Sequence, residues 1–308
     1  MAELRFGGRV AVITGAGRGL GRAYALLLAS RGAKVIVSDT GGAISGENAD
    51  ASVAEAVVKE ITAAGGEAAA CTESVATAGG GQAVISSALD RYGRIDILIH
   101  NAGNNRYAPL AEMTYEDFDA VLDVHLRGAF HVVRPAFGLM CQAGYGRVVL
   151  TSSIGGLYGA HRVANYAAAK AGIIGLANVV AIEGAGHGVR CNVIVPAALT
   201  RLAEGLDTSA YPPMAPELAA PAAAWLAHES CPLSGEMLVS IAGRVARAFI
   251  AETRGVYQPS WTIEQIGAQI GAIRDPRDPW VLPVLPGGQA EHITRSFAMA
   301  KEGRTHAG

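Results

Sequence analysis

RVAVITGAGRGLGRAYALLLASRGAKVIVSD, residues 9–39, is the stretch on which the reading of the fold turns. Val10, Val12 and Ile13 make a short β-branched run of the kind that forms a buried strand. Gly15, Gly17, Gly19 and Gly21 follow at once, and then Leu20, Tyr24, Leu27 and Leu28 recur at helical spacing. A strand, a glycine turn and a helix make a phosphate cradle. Glycine lets the backbone approach a pyrophosphate, and the helix N-terminus offers unpaired N–H groups and a positive dipole end. The spacing Gly15-x-x-x-Gly19-x-Gly21 places the long gap first, unlike the commoner dinucleotide fingerprint. A second strand, VIVSD, ends about 20 residues further on at Asp39, where a carboxylate can hold both hydroxyls of a ribose.

Outward from this unit, strand and helix patterns alternate, which predicts an α/β fold, a doubly wound Rossmann-like parallel sheet with right-handed crossovers. After Asp39, TGGAISGENADAS is longer than a minimal turn and reads either as cover for part of a cofactor site or as a surface insertion. A helix over 53–64 leads to a strand ending near Ser74-Val75, then come the helix of QAVISSALDRYG and the strand IDILIH, closed by His100-Asn101-Ala102-Gly103. Phe118, Val121, Leu122, Leu126 and Phe130 mark one apolar face of a single helix over 115–130. RCNVIVP reads as another buried strand, ending at Pro196, and a helix over 217–228 and a strand over 237–241 complete the core. Residues 1–245 are thus expected to form one domain, and 246–308 a C-terminal extension. In the extension Thr262-x-x-Gln265 is a capping box, and Ile263, Ile266, Ile270 and Ile273 recur at helical spacing. Pro276, Pro279, Pro283 and Pro286 then predict an extended arm.

A second stretch carries chemistry. Residues 152–170 read SSIGGLYGAHRVANYAAAK, with Tyr166 and Lys170 four apart, on one face of the expected helix. A free tyrosine, with a pKa of about 10, is a poor base at neutral pH. A nearby ammonium favours the phenolate and is expected to lower that value. Ser153 can reach the pair from the preceding loop. An alanine-rich helix with one amphipathic tyrosine and one solvated lysine is the alternative for YxxxK taken alone.

TGAGRGLG, HNAG at 100–103, Ser153 and YAAAK, in this order and spacing, resemble the short-chain dehydrogenase/reductase family. A narrower resemblance, to the (3R)-hydroxyacyl-CoA dehydrogenase region of peroxisomal multifunctional enzymes of type 2, rests on SDTGG, VHLRGAFHVVRPAF, YGRVVLTSS, ANYAAAKAGIIGLAN, AIEG and WLAHESC. The resemblance implies Ser153, Tyr166 and Lys170 as catalytic residues. It implies a dinucleotide held by Gly15, Arg18, Gly19, Leu20, Gly21, Asp39, Ser74, Val75, Asn101, Ala102, Gly103, Tyr166, Lys170, Pro196 and Thr200. Asn101 is expected as structural support beside the ribose. Members commonly carry an acid at the Ser74 position, against adenine. His125 stands where most members have asparagine, whose main-chain carbonyl holds a water between lysine and solvent; a carbonyl role survives the change of side chain. The missing glycine after Pro196 alters the spacing to Thr200, and residues 201–216 correspond to a substrate lid. NAD is expected over NADP, from Asp39 against Arg18. The implied reaction interconverts a secondary alcohol and a ketone, on a (3R)-3-hydroxyacyl-CoA. The alternatives are a hydroxysteroid or other bulky-alcohol dehydrogenase, or a non-catalytic dinucleotide sensor.

Composition is that of a soluble enzyme: half of the 308 residues are hydrophobic, and the net charge of −2 argues against nucleic acid or an anionic membrane as main partner. No apolar run is expected to be long enough to span a bilayer, no signal peptide is expected before the first strand, and the closing THAG is not a peroxisomal SKL-type address. Four scattered cysteines without a CxxC pair are expected as reduced thiols, and no histidine pair has metal-ligand spacing. A cytoplasmic homodimer or homotetramer acting on a small molecule, with no metal, is the expectation.

Overall fold

The computed structural model describes residues 3–200 and 211–305. The chain divides into two compact units, residues 1–247 and 248–308. In the first, β1 (Val10–Thr14), β2 (Lys34–Ser38), β3 (Glu67–Cys71), β4 (Ile97–His100), β5 (Gly146–Thr151), β6 (Val189–Ala197) and β7 (Met237–Ile241) pair in parallel. With β8 (Arg244–Ala248) they form a sheet in the order β3-β2-β1-β4-β5-β6-β7-β8. The order reverses between β1 and β4, so the carboxyl ends of these two strands part to leave a crevice, the usual ligand site of such sheets.

Strands covered on both faces read as unbroken apolar runs, and β1, β4 and β5 are buried along their whole length. Ile13, Leu98, Ile99 and Leu150 are fully buried; truncating any one to alanine should cost about 2–5 kcal/mol. The covering helices are α1 (Gly19–Ser30), α2 (Ser52–Ala63), α3 (Ala78–Tyr92), α4 (Tyr115–Leu122), α5 (Gly128–Ala143), the short α6 (Ile154–Tyr158), α7 (Ala164–Gly184) and α8 (Ala220–Ala227). With the turn to His187, α7 is by length and composition apolar enough to cross a membrane, contrary to the expectation from sequence. Its buried residues, among them Ala169, Lys170, Ile173, Ala177 and Ala181, are those of a core helix.

The helix expected over 115–130 is not a single α-helix. Between α4 and α5 the chain makes a π turn, Asp123–Arg127. A π turn inserts one residue into the helical repeat and advances everything after it. The apolar stripe therefore continues through Ala129, Val132, Val133, Ala136 and Met140, while Phe130 is half-exposed. His125 lies in the turn and is buried.

In the second unit, α9 (Ile263–Ile273) starts at the expected capping box, with Thr262 Oγ1 accepting from the Gln265 N–H and Gln265 Oε1 from the Thr262 N–H. The expected extended arm is corrected by α10 (Gly288–Thr305). Its sequence carries no apolar stripe to announce it, and an Arg295–Glu291 pair at 2.7 Å, one turn apart, supports it instead.

Candidate active site

A cavity of about 380 Å³ opens at the carboxyl ends of β1, β4, β5 and β6. Of the residues expected at a dinucleotide, Gly15, Gly19, Leu20, Asp39, Ser74, Val75, Asn101, Ala102, Gly103, Tyr166, Lys170, Pro196 and Thr200 line it. The turn is built for close approach. A Cβ on Gly15 would come 2.7 Å from Ala102 Cα, and one on Gly21 would come 2.0 Å from the Gly15 carbonyl. Asn101 braces the same turn, its Nδ2 donating to Gly15 O at 3.2 Å. No side chain caps α1 and its first turn carries no acid, so its leading N–H groups are left for an anion. Thr200 closes over the turn, with its methyl 3.1 Å from where a Gly19 Cβ would lie. These residues fit a dinucleotide. Gly21→Ala should therefore abolish tight cofactor binding and destabilise the chain by about 1–3 kcal/mol; titration of cofactor fluorescence and a thermal melt check both.

Gly21 and Arg18 do not line the cavity. Gly21 acts through backbone packing, and Arg18 Nη1 turns to the carbonyls of Gly41 and Gly42 at 3.4 and 3.3 Å. Asp39 holds the same region, accepting from Gly17 N–H at 2.8 Å and Gly41 N–H at 2.7 Å. The segment after Asp39 is part of the wall: Gly42, Ile44 and Gly46 line the cavity, and Ile44 O accepts from Asn105 N–H at 3.0 Å. Ser74 uses its hydroxyl on Ala76 N–H, and the acid at the cavity wall is its neighbour Glu73. Residues 201–210 of the expected lid lie outside the described residues.

Ser153, Tyr166 and Lys170 come together as the spacing predicts. Ser153 caps α6, its Oγ accepting from Gly155 N–H at 3.1 Å, and its hydroxyl lies near enough to Tyr166 to favour the charged phenolate. Asn165 fixes the start of α7, donating to the carbonyls of Arg106 and Asp117 at 3.0 Å each. Lys170 is buried one turn on, with Nζ donating to Thr151 O at 2.7 Å and lying 5.6 Å from the Tyr166 ring centroid. The electrostatics differ from the expectation. Burial raises the Tyr166 pKa, only partly offset by the Ser153 hydroxyl, and burial lowers Lys170 to about 7. Both groups lose hydration, and at that separation the lysine does not reverse the effect on the phenol.

Two buried histidines stand behind this cluster, of which His125 also lines the cavity. Thr14 Oγ1 accepts the N–H groups of Asn101 and Ala102, at 3.1 Å each. With both lone pairs taken, its own hydrogen goes to His100 Nδ1 at 3.0 Å. His100 is thus the Nε2–H tautomer, and Nε2–H donates to the His125 carbonyl at 3.1 Å. Burial, then Lys170, lower His100 to about 3, so it is neutral. The Gly128 N–H closes on the same carbonyl. The carbonyl expected to hold a water is therefore already engaged twice. The His125 ring stands edge-on to Tyr166, 5.2 Å between centroids, with Nε2 against the backbone of Asn104. Sequence reasoning missed Thr14, Glu73, His100 in this role and Asn104; only the position of His100 beside Asn101 could have pointed to it.

The short chain dehydrogenase family model matches residues 9–207. The Drosophila melanogaster peroxisomal multifunctional enzyme type 2 is 48% identical over 260 residues, covering 84% of this chain and 43% of the relative. Its full-length structure superposes with a TM-score of 0.79 at 39% identity, over 97% of this chain and 50% of the other. A short-chain type dehydrogenase/reductase of Mycobacterium tuberculosis is 40% identical over 269 residues, 87% of this chain and 94% of that protein. This chain thus spans less than half the length of the Drosophila enzyme but nearly all of the mycobacterial one. The glycine cradle at the switch point and the Ser153–Tyr166–Lys170 cluster beside it agree with these matches: the chain belongs to the short-chain dehydrogenase/reductase family, oxidoreductases acting on CH–OH groups.

Proposed function

We propose that this chain interconverts a (3R)-3-hydroxyacyl-CoA and its 3-oxo form, with NAD in preference to NADP. The observation that carries the chemistry is the Tyr166 phenol on the cavity wall, with Ser153 beside it at the head of α6 and Lys170 buried one turn further along the tyrosine's helix. When bound, the nicotinamide dinucleotide supplies the hydride acceptor. The chain does the rest. Ser153 Oγ and the Tyr166 phenol orient the substrate hydroxyl, and Tyr166 as phenolate takes its proton. Lys170, when charged, stabilises the phenolate and holds the nicotinamide ribose. In reduction Tyr166 returns the proton to the forming alkoxide.

The acyl-CoA assignment is supported by the likeness to the multifunctional enzymes, which extends through the second unit. The purified protein should oxidise (3R)-hydroxyacyl-CoA at least about tenfold faster than the (3S) isomer, a difference of roughly 1.4 kcal/mol. A spectrophotometric panel of both isomers, steroids and simple secondary alcohols tests it. Good turnover of a steroid with none of any acyl-CoA would replace the substrate, and no turnover of any alcohol would point to a sensor.

A further inference from the structure

We propose that His100 is a positioning residue for the catalytic tyrosine, acting through its Nε2–H on the π turn that carries His125. The inference rests on the reading of Tyr166 as acid–base. Its basis is the unbroken chain of directed contacts. Thr14 Oγ1 collects the N–H groups of Asn101 and Ala102 on the cofactor side and passes its own hydrogen to His100 Nδ1. The opposite edge of the imidazole donates to the His125 carbonyl, inside the turn. His125 in turn packs its ring on Tyr166 at 5.2 Å. One fully buried imidazole therefore ties the loop after β4, which lines the cofactor cavity, to the only π turn among the described residues.

A π turn has an irregular hydrogen-bond ladder, and at the His125 carbonyl an outside donor, His100 Nε2–H, joins the short-range Gly128 N–H. That outside donor fixes the turn at a residue whose side chain packs on Tyr166. Losing it releases the turn and shifts the phenol relative to Ser153, and displacements of about 1 Å in such a site cost up to roughly 100-fold in rate. Binding of the cofactor's phosphates, at the far end of the cavity, has no reason to change.

Two substitutions separate the two edges of the ring. His100→Gln places an amide N–H where Nε2–H stands, and His100→Asn places its amide at the Nδ1 position and leaves the carbonyl with the Gly128 N–H but no donor from outside the turn. The expected result is that His100→Gln keeps kcat within about threefold, while His100→Asn lowers kcat about tenfold or more with cofactor Kd and substrate KM little changed. Wild-type kcat in His100→Asn overturns the proposal. So does a parallel loss of kcat and cofactor affinity in both variants, which would mark His100 as a structural plug. Should neither variant fold, isotope-labelled histidine in the intact protein reads the tautomer by NMR, and an Nδ1–H form of His100 overturns it equally. Tyr166→Phe serves as control: activity in that variant would remove the acid–base reading itself, a failure distinct from any outcome at His100.

Discussion

Tyr166→Phe should retain cofactor binding and lose about 100- to 10,000-fold in kcat for alcohol oxidation. Only one oxygen is removed, from a ring whose other contacts survive. The ring keeps its edge-on packing with His125, and the N–H of residue 166 keeps Asn165 Oδ1 at 2.7 Å. What goes is the group that exchanges the substrate proton and that the Ser153 hydroxyl favours in its charged form. Wild-type turnover in this variant, measured with enough cofactor to saturate, would show that another group carries the proton. Ser153→Ala should fall in the same direction but less far, since orientation is lost while the base remains. The wild-type pH profile follows from the same site. Burial raises the Tyr166 pKa, so the phenol persists above neutrality in the unliganded chain. Oxidation, which needs the phenolate, should gain kcat/KM with rising pH, and reduction, which needs the phenol, should lose it. In Tyr166→Phe both dependences should flatten.

NAD should be preferred to NADP by at least about tenfold in kcat/KM, or roughly 1.4 kcal/mol. Asp39 and Arg18 pull in opposite directions, and the hydrogen bonds around them support the ranking. Both Asp39 oxygens accept backbone N–H groups, from Gly17 and Gly41, which hold the carboxylate at the cavity wall. A ribose phosphate would set its negative charge against a carboxylate that cannot swing aside. Arg18 is directed to the carbonyls of Gly41 and Gly42, and meeting a phosphate would mean giving up those contacts. Steady-state kinetics with both cofactors decides it, and equal or better efficiency with NADP would invert the ranking. Asp39→Asn removes the charge and one of the two backbone contacts, since only one side-chain oxygen is left to accept; the ratio should move toward NADP. Asp39→Ala should move it further and also weaken NAD binding, since the Gly17 and Gly41 N–H groups lose their acceptor.

The parts of this protein legible in its sequence are those set by local periodicity and by short spacings. Strand β1, the glycine turn and α1 are adjacent in the chain, so the cradle and Asp39 at the end of the next strand could be read from residues 9–39. Tyr166 and Lys170 share a helix face for the same reason, and the capping box of α9 is a four-residue pattern. Tertiary structure decided whatever depends on partners distant in the chain. A π turn has no pattern of its own; it follows from packing and shifts a stripe that looked regular, which is why Phe130 is half-exposed. The segment after Asp39 became cavity wall by bonding across more than fifty residues to the loop after β4. The charge states of Tyr166 and Lys170 ran against the simple pairing because burial, a property of the folded surroundings, penalises both charges. Helix α10 lacks a stripe, so only the structure revealed it. His100 reads in sequence as a neighbour of Asn101; its role exists only where the sheet brings Thr14 and the carbonyl of His125 to opposite edges of one buried ring.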